Sequence, residues 1–172
     1  MTTKIEWVKK ISPAIYGLAL VCFFLPFSHI SCQGEKIATL TGVQLVTGTT
    51  IGSPEMSFGS RENRQVDPEP LAILAFLCTF GGVGVSVLRG KKGVLASAIT
   101  GCLGLTSLLL LRTKIDNEVL REGEGAFRVE YGIGFWLALL LFIAAIGLNA
   151  FLFSQLRKKE EETVIDDLLI RH

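Results

Sequence analysis

Cysteine offers the widest choice of chemistry in this sequence, and four cysteines are present. Cys22, Cys78 and Cys102 each stand alone inside a long apolar stretch, whereas Cys32 stands alone in a more polar one. Membrane thiol oxidases use closely spaced cysteine pairs, and the sequence has no Cys-x-x-Cys. We expect the three apolar cysteines to pack inside as small hydrophobic residues. Cys32 is a candidate contact with a partner chain, and a membrane thiol or quinone enzyme is the less favoured interpretation.

The two histidines are the other side chains that could bind a metal ion or a haem. His29 follows the first apolar stretch, and His172 is the last residue. A structural or catalytic zinc site needs at least three protein ligands, and His29 with Cys32 supplies two. We therefore predict no metal, no haem or other cofactor, and no catalytic residue.

A glycine cluster at residues 81–84 lies within another apolar stretch. It lacks the Lys-Ser/Thr that completes a phosphate-binding loop. Small residues spaced four apart let helix backbones approach closely in a membrane, and polar side chains there form hydrogen bonds between helices. The residues that we predict to pack helices in this way are Gly81, Gly82, Gly84, Ser97, Gly101, Gly104 and Asn149.

Composition places these residues in a membrane. The chain has 172 residues, of which 49% are hydrophobic and 19% charged, against roughly a quarter charged in soluble domains. Four stretches contain no Asp, Glu, Lys or Arg, and each is long enough to cross about 30 Å of hydrocarbon as a helix. They are residues 11–27, 71–88, 94–111 and 131–156. The prediction is an all-α membrane protein, a four-transmembrane-helix bundle, and not a soluble enzyme, a secreted disulfide-rich module or a disordered chain.

Basic residues predict the orientation, because Lys and Arg near span ends resist translocation. Residues 1–10, the turn 89–93 and the start of the tail 157–172 each carry three of them. All three groups lie on one side of a four-span chain, so both termini and the turn are predicted to be cytoplasmic. The other side receives residues 28–70 and 112–130, which together are net acidic. A cleaved lipoprotein signal is disfavoured, because the position three before the cysteine is a histidine.

The two outer segments are predicted to form a small extracytoplasmic antiparallel β-sheet that caps the bundle. From residue 36 to 50 an alternation rich in Thr, Val, Ile and Leu predicts one strand, or two bent at Gly42. Residues 127–131 alternate in the same way, whereas residues 52–70 are polar and predict an exposed loop. We expect this cap to recognise a partner. The candidate interaction residues are Cys32, Thr41, Gly42, Gln44 and Gly48.

The tail turns from basic to acidic and contains an apolar stripe. Val164, Ile165, Leu168 and Leu169 fall on one face of a helix. An isolated helix this short is marginal, so we predict that it frays or docks on a partner or on the bundle.

The predicted layout resembles that of claudins and related tetraspan proteins. Claudins carry a Trp, a Gly-Leu-Trp and a cysteine pair in the first outer segment, and here that segment has no Trp and one cysteine. The resemblance is therefore one of architecture. Residues 24–27 (FLPF), 32–34 (CQG) and 41–45 (TGVQL) also resemble small uncharacterised bacterial four-span membrane proteins. This second resemblance implies a bacterial inner membrane rather than a eukaryotic plasma membrane, and implies no activity.

These features favour a non-catalytic membrane protein that acts as an accessory, assembly or interaction subunit. Its expected partners are the lipid bilayer and either a membrane protein or further copies of itself, and no nucleic acid. The spans contain no ionisable residue of the kind that ion-coupled transporters need. A small oligomeric channel or transporter is the alternative, and it predicts a polar stripe along one span.

Overall fold

The computed structural model describes residues 2–32, 35–51, 64–87, 91–122 and 127–170 of the chain. Helices dominate, and short strands lie between them. In chain order the elements are α1 (Thr2–Cys22), β1 (Pro26–Cys32), β2 (Glu35–Thr41), α2 (Gly42–Thr47), β3 (Thr49–Ile51), β4 (Arg64–Val66), α3 (Pro70–Val87), α4 (Lys91–Glu122), β5 (Phe127–Tyr131) and α5 (Ile133–Ile170).

Helices α1, α3, α4 and α5 pack in a closed ring, in which α1 lies between α3 and α5, and α4 also lies between them. Three of these helices contain stretches long and apolar enough to cross a membrane: Pro70–Val87, Lys92–Val119 and Ile133–Lys158. This finding is compatible with the predicted membrane protein. We call the end of the ring where α1 is followed by β1 the sheet end. The opposite end, where α3 is followed by α4, is the far end.

The first apolar stretch departs from the prediction of one helix over residues 11–27. Helix α1 ends at Cys22, and its apolar part, Ile11–Cys22, is shorter than the other three. A tight turn follows, in which the N–H groups of residues 23–25 donate to the carbonyl oxygens three residues earlier at 3.0–3.1 Å. Pro26 then begins β1, because proline has no N–H to continue a helix and disfavours helical backbone before it.

Strand β1 is the centre of a three-stranded antiparallel sheet in the order β2-β1-β5. Within β1, Ser28 pairs with Leu40 of β2 on one side and with Tyr131 of β5 on the other. Both segments that alternate in the sequence therefore join one sheet, which confirms the predicted small antiparallel sheet. The sequence does not predict β1, because its first residues are apolar enough to extend the preceding stretch.

The prediction of strand structure from residue 36 to 50 is wrong in its second half, because α2 intervenes. Thr41 caps this helix: its Oγ1 accepts from the Gln44 backbone N–H at 3.3 Å, and Gln44 Oε1 accepts from the Thr41 N–H at 2.9 Å. Such a reciprocal capping box satisfies donors that the start of a helix leaves unpaired. Gly48 ends α2 with a φ of 74°, which glycine adopts without steric cost. An alternation of apolar residues does not reveal either cap.

Part of the predicted exposed loop at residues 52–70 forms a strand. Strand β4 pairs antiparallel with β3, separately from the larger sheet. Residues 52–63 lie outside the described residues. The prediction of a continuous loop therefore misses a short strand pair, whose three residues per strand are too few to show a clear alternation.

Helices α4 and α5 both extend beyond the apolar stretches that predict them. Helix α4 continues to Glu122, and α5 runs on to Ile170, through residues that the sequence assigns to a separate tail helix. Extending a helix is easier than starting one, and no Gly or Pro interrupts either extension. The backbone of the tail is thus part of α5. The predicted docking of its apolar stripe concerns side chains that lie outside the described ones.

Aromatic side chains fill the core from the ring into the sheet. The five largest fully buried side chains are Tyr16, Phe23, Phe27, Phe135 and Phe142. The rings of Phe27 and Phe135 meet edge to face, with centroids 6.0 Å apart, and so join β1 to α5. On the outward faces of the helices, large apolar side chains are exposed, such as Leu140 at 58% and Phe151 at 56%. Exposed apolar surface on this scale is rare in soluble monomers and is compatible with a membrane.

Two glycines fix the sheet against α5. A Cβ atom at Gly132 would overlap with the carbonyl oxygen of Pro26, and one at Gly134 would lie 2.9 Å from the carbonyl oxygen of Cys22. The Gly132 N–H also donates to the Phe27 carbonyl oxygen at 2.9 Å. Glycine permits this approach because it has no side chain. The sheet and α5 are therefore packed as one unit.

Candidate functional site

A largely buried hydrogen-bond network joins all four helices of the ring near the far end. Ser12 Oγ of α1 lies 3.1 Å from Ser86 Oγ of α3, which lies 3.0 Å from Ser97 Oγ of α4. Asn149 of α5 contacts Ser12 Oγ at 3.3 Å, and its Nδ2 donates to the Ala145 carbonyl oxygen at 2.8 Å. We call Ser12, Ser86, Ser97 and Asn149 the far-end network. It includes Asn149 and Ser97, which the sequence nominates as packing residues.

The far-end network is uncharged, and three of its four members are buried while Ser86 is partly exposed. Ser12, Ser97 and Asn149 each expose 3% or less of their surface. Within the described part of the chain, no buried side-chain nitrogen or oxygen lacks a hydrogen-bond partner. An unpaired polar group in such surroundings is costly, so each member holds its neighbours in place. None of the four ionises near neutral pH, and no base among them activates a serine as a nucleophile.

Tyr16 fixes the ring one helical turn from this network. Its hydroxyl donates to the Ser97 carbonyl oxygen at 2.6 Å, from α1 to α4. A Cβ atom at Gly82 of α3 would overlap with the Tyr16 ring, and one at Gly101 of α4 would lie 2.8 Å from the Tyr16 hydroxyl oxygen. The tyrosine therefore fills a notch that two glycines leave open, which is the close approach expected of small residues between membrane helices.

The other glycines nominated from the sequence have different surroundings. A Cβ atom at Gly104 would overlap with the Phe142 ring of α5. At Gly81 the nearest atom would be Thr100 Cγ2, 3.9 Å away, and at Gly84 no atom lies within 4 Å. The close contacts of the glycines in α3 are therefore confined to its inward face.

A second polar cluster lies at the sheet end, and it carries charge. The Tyr131 hydroxyl lies 2.7 Å from Asp116 Oδ1 and 3.0 Å from the Arg112 carbonyl oxygen. The Arg112 guanidinium lies 5.3 Å from the centroid of the Tyr131 ring and 5.6 Å from that of Trp136. Its Nε atom is 3.8 Å from Asp116 Oδ2. We call Arg112, Asp116, Tyr131 and Trp136 the sheet-end cluster, and it joins the outer part of α4 to β5 and α5.

The hydroxyl of Tyr131 is held as a neutral donor. Burial raises the pKa of the Tyr131 hydroxyl above its ordinary value, and the hydrogen bond to Asp116 raises it further, since a phenolate would repel the carboxylate. The nearby charge of Arg112 lowers the pKa by less. Tyr131 therefore stays protonated across the physiological range.

Lys114 links α4 to α3 at the same end. Its Nζ lies 2.7 Å from Glu69 Oε2 and 3.4 Å from Glu118 Oε1. The backbone N–H of Glu69 donates to the Leu45 carbonyl oxygen at 2.9 Å, which also ties α3 to α2. Because the lysine is partly exposed, we expect these ion pairs to contribute about 0–1 kcal/mol. They orient the outer part of α4 more than they stabilise it.

The interaction residues nominated on the cap have internal roles where their side chains are described. Thr41 and Gln44 cap α2 with each other's side chains. Gly42 is buried, and a Cβ atom there would lie 2.8 Å from the Phe23 ring. Cys32 is the last residue of β1, and its side chain lies outside the described ones.

Three cysteine side chains are described, and all three are free thiols. Cys22 and Cys78 are buried, as expected, whereas Cys102 is exposed on α4. The expectation that Cys102 packs inside is wrong, because α4 is apolar on its outward face as well as its inward one. Among the residues that the structure describes, no group of three or more His, Cys, Asp or Glu could hold a metal ion.

Sequence reasoning missed the organising residues of both clusters. In α1, Ser12 and Tyr16 are spaced four apart, but so are many residues that do not interact. At the sheet end, Arg112 and Asp116 are an i, i+4 pair of opposite charge directly after an apolar stretch. That signal was present in the sequence, whereas their contact with Tyr131 depends on β5.

Comparison with known proteins does not assign either cluster to a family. No family model matches the sequence, and a search of curated proteins finds no match. The function therefore has to be inferred from the residues themselves.

Proposed function

We propose that this chain is a four-span membrane protein with cytoplasmic termini and an extracytoplasmic sheet. Helices α3, α4 and α5 provide three spans, and α1 with the apolar turn after it provides the first. The non-helical backbone after α1 is supplied with partners, since the Val43 N–H donates to the Phe23 carbonyl oxygen at 2.9 Å. Such backbone is tolerated at membrane depth where the protein satisfies it. The basic residues at the far end favour the cytoplasmic side for that end.

We propose further that the protein is non-catalytic and acts as an accessory, assembly or interaction subunit. The observation that carries this proposal is the sheet. It has three strands, so β2 and β5 each have one edge that no described strand pairs. An exposed edge presents backbone N–H and C=O groups with which an added strand can pair. The glycines that fix the sheet to α5 would hold these edges in a constant position relative to the membrane.

The described side chains of the edge strands leave room for such a contact. Thr39 on β2 and Glu130 on β5 are both exposed. His29 Nδ1 lies 3.0 Å from Thr39 Oγ1 across the β1–β2 pair, so the side chain of Thr39 is positioned by its neighbour. The outer edges of β2 and β5 thus combine backbone groups that no described strand pairs with exposed polar side chains.

Site-specific photocrosslinking in the native membrane tests this proposal. A photoreactive amino acid is placed at Thr39, at Glu130 and, as the control, at Leu140 on the outward face of α5. We expect an adduct of one discrete mass from Thr39 or Glu130 after irradiation and lipid adducts from Leu140. An adduct of twice the chain mass identifies a second copy of this protein. Absence of any protein adduct from both cap positions would contradict recognition by the sheet.

Two further measurements separate the alternatives. An adduct that reductant removes, and that Cys32→Ser abolishes, would place this cysteine at the contact. Ion or solute flux through liposomes that contain the purified protein would favour the channel. Thr79 and Ser107 donate to backbone carbonyl oxygens at 2.6 and 2.8 Å, so these two hydroxyls are already engaged within the ring.

A further inference from the structure

Arg112 lies where the lipid-facing part of α4 ends. The side chains of Leu109 and Leu110 immediately before it are exposed. Ile133 and Leu137, near the start of α5, are exposed as well. If the helices cross a membrane as proposed above, these apolar side chains lie in hydrocarbon. Arg112 then lies at the level of the lipid head groups of the leaflet at the sheet end.

The guanidinium of Arg112 is held in place, but the described residues do not engage all of its hydrogen-bond donors. Its two aromatic neighbours, Tyr131 and Trp136, fix its plane through cation–π contacts. The one described carboxylate that Arg112 contacts is that of Asp116, 3.8 Å from Nε, and this carboxylate also accepts the much shorter bond from Tyr131. A guanidinium has five N–H donors. Among the described residues, none accepts a hydrogen bond from the terminal nitrogens of Arg112, and the side chain is 42% exposed.

An oriented guanidinium whose terminal donors no described residue engages is suited to one kind of ligand at this depth. Arginine binds phosphate groups through two parallel hydrogen bonds. A phospholipid carries its phosphate at the head-group level and its acyl chains beside the exposed leucines. The paired lysine nearby is a weaker candidate, because Lys114 is already engaged by Glu69 and Glu118.

We propose that Arg112, oriented by Tyr131 and Trp136, binds the phosphate of one phospholipid in the leaflet at the sheet end. The exposed apolar side chains of α4 and α5 below it contact the acyl chains. This site rests on the proposed membrane insertion and is independent of the proposed recognition by the sheet.

Native mass spectrometry of the full-length protein in a mild detergent tests the site. The probe is dioleoyl phosphatidylglycerol, and dioleoylglycerol, which has the same chains without the phosphate, is the matched lipid. The unchanged protein is expected to retain one molecule of the phospholipid and not the diacylglycerol. Arg112→Gln is expected to weaken this retention about tenfold, the effect of losing a charge-assisted hydrogen bond. Arg112→Lys should retain the phospholipid more strongly than Arg112→Gln and less strongly than the unchanged protein. Lysine keeps the positive charge but lacks the planar guanidinium that forms two parallel hydrogen bonds.

The controls separate a site from general attraction to lipid. Arg121→Gln removes an exposed arginine from the same helix and is expected to leave retention unchanged. Trp136→Leu, which keeps Arg112, should weaken retention by less than Arg112→Gln does. Thermal unfolding in detergent shows whether each variant is folded, and if Arg112→Gln is not, Arg112→Lys and Trp136→Leu decide the outcome.

Three results would overturn the proposal. The first is equal retention of phospholipid by the folded Arg112 variants and the unchanged protein. The second is equal retention of the diacylglycerol. The third is displacement of the phospholipid by millimolar inorganic phosphate, which would show a site for a free anion. A protein that stays monodisperse without any detergent would instead contradict the membrane insertion on which the site rests.

Discussion

The two ends of the helix ring are held together by different chemistry. At the far end, neutral and mostly buried side chains form hydrogen bonds with one another. At the sheet end, charged groups and aromatic rings meet at a partly exposed surface. The far-end network joins four helices, whereas the sheet-end cluster joins one helix to the strand and helix that follow it.

The difference follows from the cost of moving a group away from water. A neutral hydroxyl or amide can be buried if it finds a partner, whereas a buried charge costs several kcal/mol even when paired. Serine and asparagine can therefore link helices inside the ring, and arginine and aspartate can do so only at its edge. The two clusters should respond differently to mutation, salt and pH.

The largest effect is expected from Gly82→Ala, which breaks the packing beside the far-end network. Its methyl group would overlap with the fully buried ring of Tyr16, whose hydroxyl is tied to α4. Overpacking of this kind costs about 1–3 kcal/mol. Unfolding by SDS in mixed micelles measures the loss. The matched control is Gly84→Ala, two residues further along α3. A Cβ atom at this position has open space around it, so the free energy of unfolding should not change.

Asn149→Ala is expected to lower the free energy of unfolding by less than Gly82→Ala does, because it removes hydrogen bonds and leaves the backbone packing unchanged. Interhelical hydrogen bonds in membrane proteins contribute about 0.6 kcal/mol on average and at most about 1.7. The same SDS titration measures the effect, which should be independent of salt, since no charge is involved. A loss that shrinks at high salt would contradict a neutral network.

Lys114→Met tests whether an ion pair at the sheet end responds to salt, unlike the neutral far-end network. This substitution should lower the free energy of unfolding by no more than about 1 kcal/mol, because the ion pair between Lys114 and Glu69 is partly exposed. The loss should also diminish at about 1 M salt, where screening acts over roughly 3 Å. Glu118→Gln, which removes the longer of the two ion pairs, is expected to have a smaller effect still. Equal losses at low and high salt would show that Lys114 acts through packing alone.

The smallest expected effect is that of pH on stability through the ionisation of Tyr131. The raised pKa of Tyr131 means that folding favours its protonated form, so its contribution to stability is complete below the ordinary phenol pKa of about 10. That contribution is lost only as the pH rises through the higher pKa of the folded state. In a Tyr16→Phe background, Tyr131 is the one tyrosine left. The near-ultraviolet signal of tyrosinate should therefore appear at a higher pH in the folded protein than in the unfolded one.

The long apolar helices and the alternating strands could be predicted from the sequence, because each signal is local. A stretch such as residues 133–151 has no charge over many turns, and in a membrane such a stretch must be helical. Strand β5 was predicted by its own alternation. Helix α2 was missed because capping by Thr41 and Gln44 outweighs the alternation around it.

The candidate sites could be predicted less well, because they depend on distant residues. Asn149 was nominated as a polar residue in an apolar helix, but its partner Ser12 lies far away in the chain. Tyr131 ends the alternating segment 127–131, but its acceptor Asp116 lies on α4 and comes within hydrogen-bond distance only through the fold. Side chains that meet across the ring leave no periodic pattern in the sequence.

The position of β1 in the sheet also constrains how the protein is made. This strand is synthesised early, and β5, one of its two neighbours, is synthesised after α3 and α4. Contacts between segments so distant in the chain are slow to form, because a long loop must close first. The three-stranded sheet is consequently complete only after β5, which follows α3 and α4, has been synthesised. A partner that contacts the edges of both β2 and β5 would therefore bind a chain in which β5 has joined the sheet and not a shorter one.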